Sequence, residues 1–333
     1  MRAAIFTFTN KGALKGERLS EFLNREGFET ALYPAGKDFQ CIVGDEFSRC
    51  RLMVFIGALG IAVRAIAPYL RDKTTDPAVI CMDEAGKHVI SVLSGHVGGA
   101  NMFAEQIADL FGGTAVITTA TDVNGVFAVD QWAVSRGLII ADKENIKRVS
   151  KALLENETVG FHTDYCMTGD LPDGVAEDIK CKSGIAVSLR ADIKPFEYTL
   201  NLLPRILHVG IGCRKNTPAP EIELAVKSAF EESGFDIRCI CRVSSIDLKK
   251  SEFGLLLFAE RLNLPLAFYS AEELTKAEGR FSGSDFVKSV TSTDNVCERA
   301  ASLSSGGGRF VLKKTVKNGI TVAAAEEDFN IYF

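Results

Sequence analysis

Long apolar runs, a one-sided charge and paired cysteine motifs are all missing from this chain of 333 residues. No apolar stretch reaches the roughly 18 residues that a membrane-spanning helix needs. The opening residues Met1-Arg2-Ala3-Ala4-Ile5-Phe6 lack the basic start, long apolar stretch and small-residue cleavage site of a secretory signal. These absences lead to the expectation of a cytoplasmic protein that makes no use of a membrane. Basic and acidic residues number 38 and 43, a formal net charge of -5, which speaks against non-specific nucleic-acid binding. Cysteines stand at 41, 50, 81, 166, 181, 213, 239, 241 and 297, an odd set without any Cys-x-x-Cys. Neither a disulfide framework nor a structural zinc site is indicated. Cys239 and Cys241, two apart in an expected strand, would share one face as inert, buried groups.

What is present is ordinary globular material, 47% hydrophobic and 24% charged, sufficient for a sizeable core and about two domains by length. Residues 3–8, 29–33, 51–56, 78–82, 88–93 and 115–119 read as strands, and 16–25, 62–69 and 102–110 as helices. The run before Gly57 suits a buried parallel strand, and Asp83-Glu84-Ala85-Gly86 reads as a hairpin turn. Alternation of this kind predicts an α/β fold with a layered N-terminal α/β domain over 1–130. Residues 131–204 read as a small middle module of less regular structure. It holds a helix at 145–154, a strand at 158–162 and a turn at Asp170-Leu171-Pro172-Asp173-Gly174. A C-terminal α/β domain is expected over 205–333. Its strands lie at 206–211, 237–243, 264–269, 310–314 and, last, 321–325, with helices at 221–233 and after a capping Asp294.

Three strand ends carry candidate chemistry. In Ser94-Gly95-His96-Val97-Gly98-Gly99-Ala100-Asn101, glycines let the backbone turn sharply and the coming helix start favours an anion. His96 supplies a group that exchanges a proton near neutral pH. The same residues also suit a plain tight turn with a hydrogen-bonded histidine. The loop is neither a Gly-x-Gly-x-x-Gly fingerprint nor a Gly-Lys-Ser/Thr phosphate loop, so neither NAD nor ATP is indicated. Gly57-Ala58-Leu59-Gly60-Ile61-Ala62-Val63-Arg64 repeats the strand–turn–helix pattern. Arg64 either grips a carboxylate with two parallel bonds or is solvated. Thr118-Thr119-Ala120-Thr121-Asp122-Val123-Asn124-Gly125 ends a third strand. Open α/β sheets bind ligands at the carboxyl ends of their strands, so the three loops are expected on one edge. Asp83 and Glu84 read as a carboxylate pair or a polar hairpin tip. Gly210-Ile211-Gly212-Cys213-Arg214-Lys215 sets two cations beside a flexible turn, with a thiol whose pKa they would lower.

Taken in order, these residues resemble the CbiG family, the cobalt-precorrin-5A hydrolases of anaerobic cobalamin synthesis, over nearly the whole chain. The carrying stretches are Gly60-Ile61-Ala62-Val63-Arg64, Ala67-Pro68, Asp72-Lys73, Asp76-Pro77-Ala78-Val79, Asp83-Glu84, Leu93 through Asn101, and Ile117-Thr118-Thr119-Ala120-Thr121-Asp122. The C-terminal part is similar to the family's CobE-like domain, through Gly210 to Lys215 and Asp294-Asn295-Val296-Cys297-Glu298-Arg299-Ala300-Ala301. One departure is Asn216, where a glycine commonly follows the lysine.

The resemblance implies a water-dependent reaction on a cobalt-containing tetrapyrrole, cobalt-precorrin-5A. A δ-lactone is opened, and the meso carbon leaves with its methyl group as acetaldehyde to give cobalt-precorrin-5B. Cobalt arrives within the substrate, so no cofactor and no metal ion of the protein's own is expected. An acidic chain must bind a polycarboxylate through local cations and helix starts: Arg64, Lys73, Arg214 and Lys215, with Ser94, Gly95, Gly98, Gly99 and Thr119. The expected mechanism makes His96 the general base, sets Asn101 and the Gly98-Gly99 amides on the oxyanion, and has Asp122 or Glu84 orient the ring. Beyond the substrate, transient contacts with other corrin-pathway enzymes and a homodimer stay open as partners. Two other classes also remain: a non-catalytic carrier of the same corrinoid intermediate, and an enzyme binding a nucleotide or sugar phosphate. The missing Gly-Lys-Ser/Thr speaks against the latter.

Overall fold

A computed structural model describes the chain apart from residues 73–74, 178–179, 284–288 and 290. It has two compact units, Met1–Val134 and Ser135–Phe333. Among the described residues no helix is long and apolar enough to cross a membrane.

The first unit is built on a sheet ordered β2-β1-β3-β4-β5-β6. Its strands are β1 (Arg2–Thr7), β2 (Glu29–Pro34), β3 (Leu52–Ile56), β4 (Ala78–Met82), β5 (His88–Leu93) and β6 (Thr114–Val116). The helices are α1 (Asn10–Arg25), α2 (Phe39–Phe47), α3 (Leu59–Ile66), α4 (Ala100–Phe111), α5 (Ala120–Val123) and α6 (Val129–Ser135). Alternate strand residues serve two cores. Ala3, Ile5, Val54 and Ile80 pack with Leu19 and Leu23 of α1 and Ile107 of α4. Ala4, Phe6, Phe55 and Val79 pack with Val43 of α2 and Ala62 of α3. Cover on both faces is why β3 and β4 are apolar throughout and not alternating. Helix α1 begins earlier than the expected residue 16, because Thr9 Oγ1 accepts from Gly12 N at 3.2 Å and caps it.

Strand direction decides where the loops go. Strands β1 to β4 run parallel, but the turn at Asp83 to Lys87 reverses the chain, so β5 is antiparallel to β4 and β6 parallel to β5. The loop after β3 therefore leaves one edge of the sheet, and the loops after β5 and β6 leave the other. The expected common edge for the three glycine loops is overturned.

The second unit carries two larger sheets. Residues 131–204, expected to be less regular, hold one ordered β10-β8-β11-β12-β7. It comprises β7 (Ile139–Ile140), β8 (Val159–Thr163), β10 (Val175–Ala176), β11 (Ser183–Val187) and β12 (Tyr198–Leu203), beside α7 (Glu144–Leu154), with β9 (Cys166–Thr168) outside it. Strand β11 is masked in sequence by Ser183 and Gly184, yet it is wholly buried. A Cβ at Gly184 would meet the Phe196 ring at 2.2 Å, so the close fit requires glycine. The remaining sheet is ordered β15-β14-β13-β17-β16. It contains β13 (Leu207–Gly212), β14 (Ile240–Ile246), β15 (Leu266–Tyr269), β16 (Phe310–Lys317) and β17 (Ile320–Glu326), with helices α8 (Ala219–Ser233), α9 (Phe253–Arg261), α10 (Ala271–Lys276) and α11 (Cys297–Ser304).

Three details differ from expectation. Residues 237–239 form a short 3-10 turn before β14, so Cys239 and Cys241 do not share a strand face. Burial pushes their thiols up to about 12 and about 11. Asp294 does not cap helix α11 but pairs with Arg299 Nε at 2.9 Å; the cap position is Val296, and Asn295 Oδ1 before it accepts from Glu298 N at 2.9 Å. The strand at 321–325 is not the last: β18 (Asn330–Tyr332) follows and pairs in parallel with β9.

Candidate active site

The loop after β5 is folded tightly by its own backbone. Gly99 N donates to His96 O, Ala100 N to Ser94 O and Asn101 N to Gly95 O, at 2.9, 3.2 and 3.1 Å. These amides are turned inward, which removes those of Gly99, Ala100 and Asn101 from the expected anion and oxyanion role. Ser94 takes a left-handed φ of 57° and is pinned by Oγ donating to Asp76 O at 3.0 Å. A Cβ at Gly98 would lie 2.3 Å from Ser94 Cβ, and one at Gly95 2.6 Å from Asn101 Oδ1. The glycines are there for close approach.

This turn aims His96 into a cage of oxygen atoms. Ring Nε2 lies 2.8 Å from Asp122 Oδ2 and 3.1 Å from Thr121 Oγ1, and Nδ1 lies 3.2 Å from Asp130 Oδ1. The Asp122, His96 and Asp130 side chains are 27%, 14% and 5% exposed, so Asp122 is the member that faces outward. The hydrogen bond to Asp130, opposed by burial and joined by that to Asp122, holds the imidazole pKa above its ordinary 6.5.

Asn101, buried at the start of α4, ties the cage to the sheet. Its Oδ1 accepts from Ser91 Oγ at 2.7 Å, and Nδ2 donates to Thr119 Oγ1 at 2.7 Å and Asp122 Oδ2 at 3.1 Å. With the amide engaged on both sides, Asn101 orients Asp122 and does not reach for an oxyanion. Thus Ser94, Gly95, His96, Gly98, Gly99, Asn101, Thr119 and Asp122 are brought together as expected.

Other expected residues lie elsewhere. Glu84 sits in the β4–β5 turn at the opposite edge, where Oε1 accepts from Thr9 Oγ1 at 2.6 Å, so it does not orient His96. Arg64 belongs to α3, which starts from that opposite edge, and its Nη1 donates to Gly60 O at 3.3 Å. Lys73 falls outside the described residues. Arg214 and Lys215 are exposed in the second unit, on the loop after β13. Burial pushes the neighbouring Cys213 thiol up, countering the expected lowering. Asn216, the departure from glycine, has a φ of 62°, and asparagine is the side chain best able to take that left-handed conformation.

Asp130 and Thr121 are the site residues that sequence reasoning missed. The available signal was a carboxylate on the apolar stripe of α6, beside buried Val129, Trp132 and Ala133. A charge buried among such neighbours needs a partner. Among the described residues, His208, Cys241 and Glu327 are a group whose ligand atoms, all within 4.8 Å of one another, could hold a metal ion. His208 is engaged there by Ser304 Oγ at 2.7 Å and Glu327 Oε2 at 2.9 Å.

Fold and site define the class: an α/β protein with a histidine–carboxylate cluster on the edge of a mixed sheet. Family models described as "Cobalamin synthesis G N-terminal", "Cobalamin biosynthesis central region" and "Cobalamin synthesis G C-terminus" match residues 42–122, 127–204 and 207–325. The chain is 34% identical to the cobalt-precorrin-5A hydrolase of Salmonella typhimurium, covering 96% of each. It is 33% identical to the cobalt-precorrin-5A hydrolase of Priestia megaterium, over 84% of this chain and 79% of that one. Protein CobE of a Sinorhizobium species is 31% identical over 36% of this chain and 79% of its own. The chain belongs to the cobalamin synthesis G (CbiG) family.

Proposed function

We propose that the protein is a cobalt-precorrin-5A hydrolase, opening the δ-lactone of that tetrapyrrole and releasing acetaldehyde to give cobalt-precorrin-5B. The observation that carries this reading is the 34% identity to a hydrolase of that name along 96% of both chains. The site supports it chemically. Lactone opening needs a proton taken from water, and loss of acetaldehyde needs one taken from the freed hydroxyl, with the electron pair passing to the conjugated ring. The coupled His96–Asp122 pair, at 2.8 Å, is a proton-transfer unit for both. Exposed Met102 and Val123, next in sequence to Asn101 and Asp122, offer an apolar rim to a flat macrocycle. Cobalt enters with the substrate, and the protein adds no cofactor of its own.

Mixing the pure protein with cobalt-precorrin-5A should release acetaldehyde, measured by a coupled dehydrogenase assay. A carrier would bind the tetrapyrrole and release none. His96→Ala and His96→Gln should each lower turnover by about 10²–10⁴-fold. Turnover close to normal in both variants, with the fold intact, would take His96 out of the reaction.

A further inference from the structure

We infer that Asp130 is a positioning residue which, with Asp122, holds His96 as an imidazolium, so that the proton-accepting group of the reaction is the Asp122 carboxylate and not the ring. The inference rests on the hydrolase reading above and reverses the polarity expected from the sequence.

The geometry carries it. An ionised carboxylate only accepts hydrogen bonds. Carboxylate oxygens stand at both ring nitrogens, 2.8 Å from Nε2 and 3.2 Å from Nδ1. A proton on each ring nitrogen is attracted by the carboxylate beside it, and a ring with both N–H groups is the cation. Among the described residues, the charged groups facing the ring are Asp122 from α5 and Asp130 from α6. Helix α4 and strand β5 contribute the neutral Asn101 and Ser91. Arg51 lies against the loop backbone, donating to Val97 O at 3.3 Å. Asp130, 5% exposed, is a buried carboxylate set 3.2 Å from the ring.

A ring in this state has no lone pair with which to accept a proton. Asp122 does, and of the three side chains it is the most exposed. Its carboxylate takes a proton from water as the hydroxyl adds to the lactone carbonyl. The carbonyl–oxygen ring bond then breaks, and the departing alkoxide takes that proton back. Water is consumed, a carboxyl and a hydroxyl are formed, and Asp122 is regenerated. The ring keeps Asp122 aimed throughout, from 2.8 Å.

The first test needs no substrate. Nitrogen-15 NMR of the wild-type protein should show both His96 ring nitrogens protonated at pH 7.5, and in Asp130→Asn the titration midpoint should fall by about one unit or more. One bare ring nitrogen in the wild type at pH 7.5 overturns the inference. The second test follows acetaldehyde release against pH. The alkaline limb of kcat, where the ring loses its proton, should move down by the same shift of about one unit or more in Asp130→Asn. Asp130→Glu should restore the limb, which a merely structural role would not do. An alkaline limb unmoved in a folded Asp130→Asn protein also overturns the inference. Wild-type protein that binds the tetrapyrrole without releasing acetaldehyde defeats the hydrolase reading instead, while the NMR result still decides the charge of the ring.

Discussion

Two glycines that look alike in sequence have opposite consequences when replaced. Gly98 and Gly60 both sit in strand–turn–helix stretches. At Gly98 an added Cβ would lie 2.3 Å from Ser94 Cβ and 2.5 Å from Ser94 O. Ser94 cannot yield easily, since its hydroxyl is fixed on Asp76 O and its φ is already left-handed. Gly98→Ala should destabilise the protein by about 1–3 kcal/mol, read as a fall in the urea midpoint, and should cut acetaldehyde release because the loop aims His96. At Gly60 the nearest atom to an added Cβ is the flexible end of Arg64, at 3.4 Å, inside a regular helix. Gly60→Ala should therefore stabilise by about 0.5–1 kcal/mol and leave release unchanged, because α3 starts at the edge away from the imidazole. Loss of release in Gly60→Ala would place substrate at that second edge after all.

Between elements, the same alternation of apolar and polar character that made the first unit legible hid its site. Runs such as 52–56 announce buried strands, and the Asp83 to Gly86 turn announces a hairpin. A hairpin also reverses the chain, and it carries the loops after β5 and β6 to the edge opposite Arg64 and Glu84. The residues of one continuous loop, Ser94 to Asn101, were readable because the turn itself needs them. Asp130 was not, because its partner His96 lies far away in sequence and only the packing of α6 unites them. In the central sheet, Gly184 fills a place that reads as flexible until Phe196 is seen against it. Another joint between elements has a pH signature. Glu46 of α2, 5% exposed, accepts from Arg2 of β1 at 2.6 and 2.7 Å, from Tyr33 at 2.8 Å and from Cys50 at 3.0 Å. The Arg2 bond, against the opposing effect of burial, holds its carboxyl down at about 2, from 4.5. A depressed folded-state pKa gives stability that is complete above 4.5 and is lost as pH falls through about 2. Glu46→Gln should lower stability at pH 7 by about 2–3 kcal/mol and flatten the acid limb of the stability curve in that window. An acid limb as steep as that of the wild type would show that other carboxylates govern it.

At the scale of the whole molecule, the chain's end is tied back to its middle. The C-terminal family match stops at residue 325, yet β18 goes on to pair with β9, register Asn330 to Cys166, Ile331 to Met167 and Tyr332 to Thr168. Ile331 is 2% exposed. The Phe333 ring meets Phe161 edge-on at 5.1 Å, and Phe329 meets Tyr165 at 5.1 Å. A two-stranded ladder is marginal alone, so its side chains must supply the stability. The partners Phe161 and Tyr165 belong to β8 and its following turn, which makes the tail a clasp within the second unit. Removing residues 329–333 forfeits roughly 3 kcal/mol of apolar burial and ring contact, or about 6–12 °C in a unit of this size. The first unit has its own core on both faces of its sheet, and its melting should stay where it is. Scanning calorimetry of the shortened chain should then resolve a lowered transition for the second unit beside an unmoved one for the first, with the His96 NMR signals unchanged. If both transitions fall together, the units unfold as one and the clasp serves the whole chain; if neither falls, the ladder carries no stability.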